Sequence, residues 1–133
     1  VAVLLGYNES FAHRIEASSD IFLMPSIFEP CGLNQMYSLR YGTLPVVHAV
    51  GGLRDTVFEA APDGITEKAN GFVFDNATAE ALHAAILRAI ALFHRKDIWK
   101  KLQLNAMGND FSWDSSAKEY LAIYKKLTID RNG

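Results

Sequence analysis

The chain has 133 residues, which suits one domain, and half of them are hydrophobic, which is enough for a core. A formal net charge of −2 excludes the basic bias of a nucleic-acid-binding domain, although it stays compatible with a local anion site. A single cysteine excludes an internal disulfide and favours a reducing compartment, and no apolar run approaches the roughly 20 residues of a membrane span.

Short apolar runs, the first of them rich in β-branched residues, predict buried strands at residues 1–5, 20–25, 44–50 and 71–74. The first run opens the chain in the middle of a strand-like pattern and without a methionine. We therefore expect the chain to be part of a longer protein.

The segments between and after these runs have helical periodicity, and Gly42 and Thr78 fit the end of one helix and the cap of another. These features predict helices over residues 9–19, 32–41, 53–61, 79–95, 98–107 and from 113 onward. In the first helix, Phe11 and Ile15 mark the expected buried face. In the last helix, Trp113, Tyr120 and Tyr124 lie at the spacing of core residues.

Strands that alternate with helices predict an α/β fold with a parallel sheet and right-handed crossovers. In such sheets, ligands bind beyond the carboxyl ends of the strands. Three segments fall at these ends, residues 6–9, 26–34 and 48–54. The pattern thus nominates residues 28–34, FEPCGLN, as part of a binding site.

The chemistry of FEPCGLN favours a ligand that carries both phosphate and sugar. If the following helix begins near Cys31, the N–H groups of Gly32, Leu33 and Asn34 lack helical partners and attract an anion. The carboxylate of Glu29, one turn earlier, would repel phosphate but accepts hydrogen bonds from sugar hydroxyls. The same residues are also typical of an ordinary loop between a strand and a helix, in which Glu, Pro and Gly only form the turn and cap the helix.

Other conspicuous residues have plainer interpretations. Cys31 is expected to be a small buried residue rather than a nucleophile, because no base accompanies it in the sequence. The four histidines show no ligand spacing with it, so no metal site is predicted. His48, at a strand end, is expected to be structural. Gly51 and Gly52 either bring backbone close to a ligand or only allow a tight turn.

Residues 17–57, ASSDIFLMPSIFEPCGLNQMYSLRYGTLPVVHAVGGLRDTV, resemble the signature region of bacterial glycogen synthases and plant starch synthases. The likeness extends from GYNESFAHRI at residues 6–15 to FSWDSSAKEYLAIYKKL at residues 111–127. It implies a retaining glucosyltransferase that elongates α-1,4-glucan from ADP-glucose. It also implies the GT-B fold, in which two Rossmann-like domains face a cleft, with neither metal nor other cofactor in the chemistry.

The resemblance implies a role for each matching residue. Glu29 matches the catalytic glutamate that contacts the donor glucose, and Tyr7 matches the aromatic residue that stacks on adenine, a contact of about 1 to 3 kcal/mol. Tyr37 stands where wider relatives often carry a second glutamate, which puts a ribose-binding carboxylate in question. The diphosphate-binding backbone matches Cys31, Gly32, Leu33 and Asn34.

The resemblance also implies that the chain is only one part of an enzyme. Residues 1–133 would be a partial carboxy-terminal, nucleotide-sugar-binding domain, lacking its amino-terminal side, with carboxy-terminal helices over about residues 78–128. The implied partners are an ADP-glucose or UDP-glucose donor, a glucan acceptor and the missing amino-terminal domain, with no nucleic acid and no membrane. One wall of a cleft does not exclude water, so we expect the chain alone to be inactive. The expected location is the bacterial cytoplasm or, in a plant, the plastid stroma.

Two other interpretations stay open. One is a non-catalytic nucleotide- or carbohydrate-binding module that reuses the same half domain. The other is a structural piece whose exposed sheet edge is covered by a second copy of the chain.

Overall fold

The computed structural model describes residues 2–61 and 65–129. Within them, the elements follow in the order α1 (Glu9–Ser18), β1 (Ile21–Met24), α2 (Asn34–Tyr41), β2 (Leu44–His48), α3 (Gly51–Thr56), β3 (Phe72–Phe74), α4 (Ala79–Phe93), α5 (Lys96–Met107) and α6 (Trp113–Ile129). None of the helices in these two ranges is long and apolar enough to cross a membrane.

The three strands form a parallel sheet in the order β1-β2-β3. Val46 of the central strand aligns with Leu23 on one side and with Phe72 on the other. All five residues of β2 are buried, as expected for a strand covered on both faces. The predicted α/β fold with a parallel, Rossmann-like sheet and flanking helices is confirmed.

The predicted strand over residues 1–5 is wrong for residues 2–5, and Val1 lies outside the described residues. Leu5 is 92% exposed, and Val3 and Leu4 are also exposed. No strand of the described chain pairs with this segment, so its apolar pattern has no sheet to join.

The core lies between the sheet and the helices α4 and α5. Leu44 and Phe72 from the sheet, Leu92 from α4 and Trp99 from α5 are all buried. The rings of Phe72 and Trp99 stack with their centroids 6.2 Å apart. Burial of side chains of this size contributes about 1.5 to 3 kcal/mol each, so this layer anchors the sheet that carries the candidate site.

Two helix faces differ from their predicted packing. In α1, Phe11 and Ile15 are exposed, while Glu16 is buried, because α1 packs on α2 with a different face. In α6, Trp113 is 86% exposed and Tyr120 is exposed as well, because no element of the described chain covers the apolar face of this helix.

Candidate functional site

The carboxyl ends of the three strands meet around the ring of His48. Its Nδ1 lies 2.8 Å from the carbonyl oxygen of Ser26, which follows β1, and its Nε2 lies 3.2 Å from the carbonyl oxygen of Asp75, which follows β3. The buried ring also stacks on Phe74. The structural interpretation of His48 is confirmed, and this histidine ties together the loops that carry the predicted site.

Glu29 lies in the loop between β1 and α2, half-buried. One of its carboxylate oxygens accepts a hydrogen bond of 3.3 Å from the hydroxyl of Ser26. No cation pairs with it within residues 2–61 and 65–129. The carboxylate therefore keeps lone pairs free for hydroxyl groups of a ligand.

The two glycines after β2 begin helix α3 and do not form the predicted separate turn. The N–H of Gly52 donates to the carbonyl oxygen of Glu29 at 3.2 Å. A Cβ atom on Gly52 would lie 2.6 Å from the carbonyl carbon of Cys31, and one on Gly51 would overlap the carbonyl oxygen of Glu29. Both glycines are thus explained by the close approach of α3 to the Glu29 loop.

Helix α2 begins at Asn34 and not near Cys31, with Leu33 at the N-cap. Gly32 has a φ of +71°, a left-handed conformation that keeps it outside the helix. The helical N–H groups without internal partners are therefore those of Asn34 and the residues after it. Cys31 is exposed, so its predicted burial is wrong; its thiol contacts the carbonyl oxygen of Gly32 at 3.7 Å.

Tyr7 lies in the loop before α1 and is 90% exposed. It borders a pocket of about 210 Å³ between α1 and the start of α2. That pocket brings Tyr7 together with Leu33 and Asn34, two of the predicted diphosphate-binding residues. Glu29, Cys31 and Gly32 do not line it.

The pocket also contains His13 and Glu16, which the sequence analysis did not identify. Their Nδ1 and Oε2 atoms lie 3.6 Å apart, and His13 meets the ring of Tyr37 edge-on. Burial raises the pKa of the Glu16 carboxyl, and the nearby His13 partly offsets that rise. Their spacing of three residues on a helix was the signal that could have revealed the pair.

Gln35, in the first turn of α2, was also missed. It is fully buried, and its amide nitrogen contacts the carbonyl oxygens of Cys31 and Gly32. A lone glutamine in a short helix carries no recognisable sequence signal, because its role depends on the loop that it touches.

A second groove, of about 530 Å³, lies between α2 and the beginning of α6. Leu33, the N-cap of α2, and Arg40 of α2 line one part of it, and Phe111 and Trp113 line it from the segment before α6 and from α6 itself. Within residues 2–61 and 65–129, no group of three or more His, Cys, Asp or Glu side chains is placed to hold a metal ion.

Comparison with known proteins identifies the class first. Residues 2–101 match the family of glycosyl transferases group 1. Because this span is well over half of the chain, the chain belongs to that family.

Within this family, glycogen synthases are similar to the chain. It is 65% identical over 127 residues to the glycogen synthase of Cellvibrio japonicus (strain Ueda107), a match that covers 96% of this chain and 26% of that protein. It is 62% identical over 126 residues to the glycogen synthase of Marinobacter nauticus, with 95% and 26% covered. The chain thus spans about a quarter of the length of these relatives.

The chain is also similar to the solved structure of a starch synthase. The catalytic domain of starch synthase IV from Arabidopsis thaliana, bound to ADP and acarbose, superposes with a TM-score of 0.81 and 41% identity, over 92% of this chain and 25% of that one. Sucrose-phosphate synthase from Thermosynechococcus elongatus, at 24% identity and a TM-score of 0.62, shares the fold. The predicted resemblance to glycogen and starch synthases is confirmed.

Proposed function

We propose that this chain is the donor-binding part of a retaining glucosyltransferase that elongates α-1,4-glucan from ADP-glucose. The observation that carries the proposal is one loop, between β1 and α2. It places the carboxylate of Glu29 and the peptide groups that lead into α2 at the carboxyl end of a parallel sheet. This is where open α/β sheets bind ligands.

Each part of the loop supplies a different interaction. Transfer breaks the bond between the anomeric carbon and the diphosphate oxygen, and negative charge develops on the departing diphosphate. Backbone N–H groups from Gly32 to Asn34 and the positive end of α2 stabilise that charge. The Glu29 carboxylate accepts hydrogen bonds from hydroxyls of the donor glucose and so holds the sugar in place for transfer.

The nucleoside would bind across the pocket next to Tyr7. The exposed ring offers a face for stacking on a base, and Leu33 and Asn34, which line the same pocket, belong to the proposed diphosphate-binding segment. The starch synthase neighbour was solved with ADP, which supports adenine as the base. Tyr7→Ala is expected to weaken ADP binding about tenfold, the loss expected for one stacked base.

The exposed apolar face of α6 is consistent with a second domain that covers it in the whole protein. Trp113, Tyr120, Leu121 and Tyr124 are exposed on this helix, and the glycogen synthase relatives are about four times as long as the chain. We expect the remainder of such a protein, including its acceptor site, to cover this face and close the cleft. The 133-residue chain alone should therefore show no glucan elongation.

A chimera tests the proposed activity. The chain replaces its matching segment in the Cellvibrio japonicus glycogen synthase, and glucose transfer to glycogen is measured with ADP-glucose and with UDP-glucose. We expect transfer from ADP-glucose. Glu29→Ala should lower turnover by orders of magnitude while leaving folding intact, whereas Glu67→Ala, which removes an exposed carboxylate from the loop before β3, should not lower turnover.

Two results would contradict the proposal. One is near-normal turnover of the Glu29→Ala chimera. The other, in calorimetric titrations of the chain itself, is binding of glucan without any response to ADP, which would favour the non-catalytic carbohydrate-binding module.

A further inference from the structure

The side chain of Gln35 is fully buried beneath the loop that precedes α2. Its Nε2 atom donates to the carbonyl oxygens of Cys31 at 3.2 Å and of Gly32 at 3.0 Å. The hydroxyl oxygen of Thr56 in α3 lies 3.3 Å from the same Nε2 atom, so the two hydrogens of Nε2 are shared among three acceptors. One amide group thus holds two consecutive peptide groups of the loop.

The orientation of this amide follows from its surroundings. With the amide reversed, Oε1 would face two carbonyl oxygens, which repel it. The Oε1 atom instead points at Gly32 and has no hydrogen-bond partner in the described chain. A Cβ atom on Gly32 would overlap Oε1 and force the Gln35 amide to shift, and the positive φ of Gly32 separately favours glycine.

The geometry of the peptide bond then fixes the direction of the N–H groups that follow these two carbonyls. In a trans peptide, the C=O of one residue and the N–H of the next point in opposite directions. No cis peptide occurs in the described residues. Because the carbonyls of Cys31 and Gly32 turn inward to Gln35, the N–H groups of Gly32 and Leu33 face outward.

The same amide connects the loop to α3. Thr56, which accepts from Gln35, donates its own hydroxyl hydrogen to the carbonyl oxygen of Gly52 at 2.6 Å. The N–H of Gly52 in turn donates to the carbonyl oxygen of Glu29 at 3.2 Å. The residue that orients the outward N–H groups thus belongs to the network that holds the backbone of Glu29.

We propose that Gln35 is a positioning residue for the donor diphosphate: it turns the N–H groups of Gly32 and Leu33 outward before the ligand arrives. The inference rests on the proposed function, since it takes the anion to be a nucleoside diphosphate. Pre-oriented donors bind an anion more tightly than donors that reorganise on binding. Gln35 itself does not touch the ligand.

The test compares ADP with adenosine on the whole 133-residue chain, by NMR titration. Gln35→Leu keeps most of the volume and removes the donor. It is expected to weaken ADP binding about tenfold and to leave adenosine binding unchanged, because only ADP uses the outward N–H groups.

Ser38→Ala is the matched control. Ser38 lies on the same helix, is also fully buried, and loses a single hydrogen bond of 2.7 Å to the carbonyl oxygen of Thr43. We expect this variant to lower stability and to leave the affinity for ADP unchanged. In the wild-type chain, ADP should shift the amide resonances of Gly32 and Leu33, and adenosine should not.

Several outcomes would overturn the inference alone: equal ADP affinity in wild type and Gln35→Leu, a parallel loss for ADP and adenosine, or an equal loss in Ser38→Ala. If Gln35→Leu does not fold, unshifted Gly32 and Leu33 amides in ADP-bound wild type would overturn it. A wild-type chain that does not bind ADP at all would overturn the proposed donor site, and the inference with it.

Discussion

The imidazole Nδ1 of His48 lies 2.8 Å from the carbonyl oxygen of Ser26. The hydroxyl of the same serine donates to the carboxylate of Glu29. On its other side, the ring of His48 meets the carbonyl oxygen of Asp75 after β3. The position of the candidate catalytic carboxylate therefore depends, through Ser26, on a buried histidine of the central strand.

His48→Ala should lower the free energy of unfolding by about 2 to 4 kcal/mol, measured by urea denaturation. The change removes a ring whose nitrogens lie 2.8 and 3.2 Å from two carbonyl oxygens, and it leaves a cavity beside Phe74. His83→Ala, an exposed histidine on α4, should change stability by less than about 0.5 kcal/mol. Equal effects of the two changes would contradict the role assigned to His48.

Gly52→Ala should destabilise the protein by more than about 2 kcal/mol, because a Cβ atom there meets the backbone of Cys31 and one of the two segments must move. The shift would also displace the loop that carries Glu29, so ADP binding should weaken. Gly108→Ala, at a φ of −79°, should cost less than about 1 kcal/mol. Thermal melts and ADP titrations of both variants provide the measurement, and an undisturbed Gly52→Ala protein would refute the close approach.

The features that the sequence predicted correctly depend on local signals. The strands β1, β2 and β3 follow from short apolar runs, and Gly42 ends α2 in the left-handed conformation that favours glycine. Thr78 caps α4 by accepting the N–H of Ala81 at 3.2 Å. The placement of Glu29 at a strand end followed from the alternation of these elements.

The features that the sequence did not predict depend on distant neighbours. The apolar spacing of Trp113 and Tyr120 marks one face of α6, but it cannot show whether another element covers that face. The burial of Glu16 depends on how α1 packs on α2, and the role of Gln35 depends on the loop carbonyls and on Thr56 of α3, which its amide contacts. Periodicity within one segment does not contain such contacts between segments.

Stability should depend on pH through Glu16. Burial raises the pKa of this carboxyl above its ordinary value of 4.5, so the folded state binds the proton more tightly than the unfolded state does. The favourable contribution is fully present below the unfolded pKa and is lost as pH rises through the folded pKa. His13, which lies 3.6 Å away, moderates this loss.

Glu16→Gln should therefore be more stable than wild type at pH 7, with the difference shrinking as pH falls toward 4. Urea denaturation between pH 4 and pH 8 measures the difference. Glu80→Gln, an exposed carboxylate in the first turn of α4, serves as the control and should show no comparable gain at pH 7. A wild type that is more stable than Glu16→Gln at pH 7 would contradict the assignment.

The outer edge of β3 is closed at Val73 by two side chains. A carboxylate oxygen of Glu59 accepts the N–H of Val73 at 2.5 Å, and the guanidinium of Arg88 donates to its carbonyl oxygen at 2.7 Å. The guanidinium and the carboxylate also pair at 2.9 Å. Together they occupy the backbone groups that another strand would use, so this edge resists pairing with a second copy.

Arg88→Ala should lower the free energy of unfolding by about 1 to 2 kcal/mol, because it leaves the carbonyl of Val73 and one carboxylate oxygen of Glu59 without the arginine donor. It should also increase self-association, measured by sedimentation velocity, because the exposed backbone offers an edge for pairing. Lys101→Ala removes an exposed positive charge from α5 without touching the sheet and should do neither. If both variants stay monomeric and equally stable, the two side chains do not protect this edge.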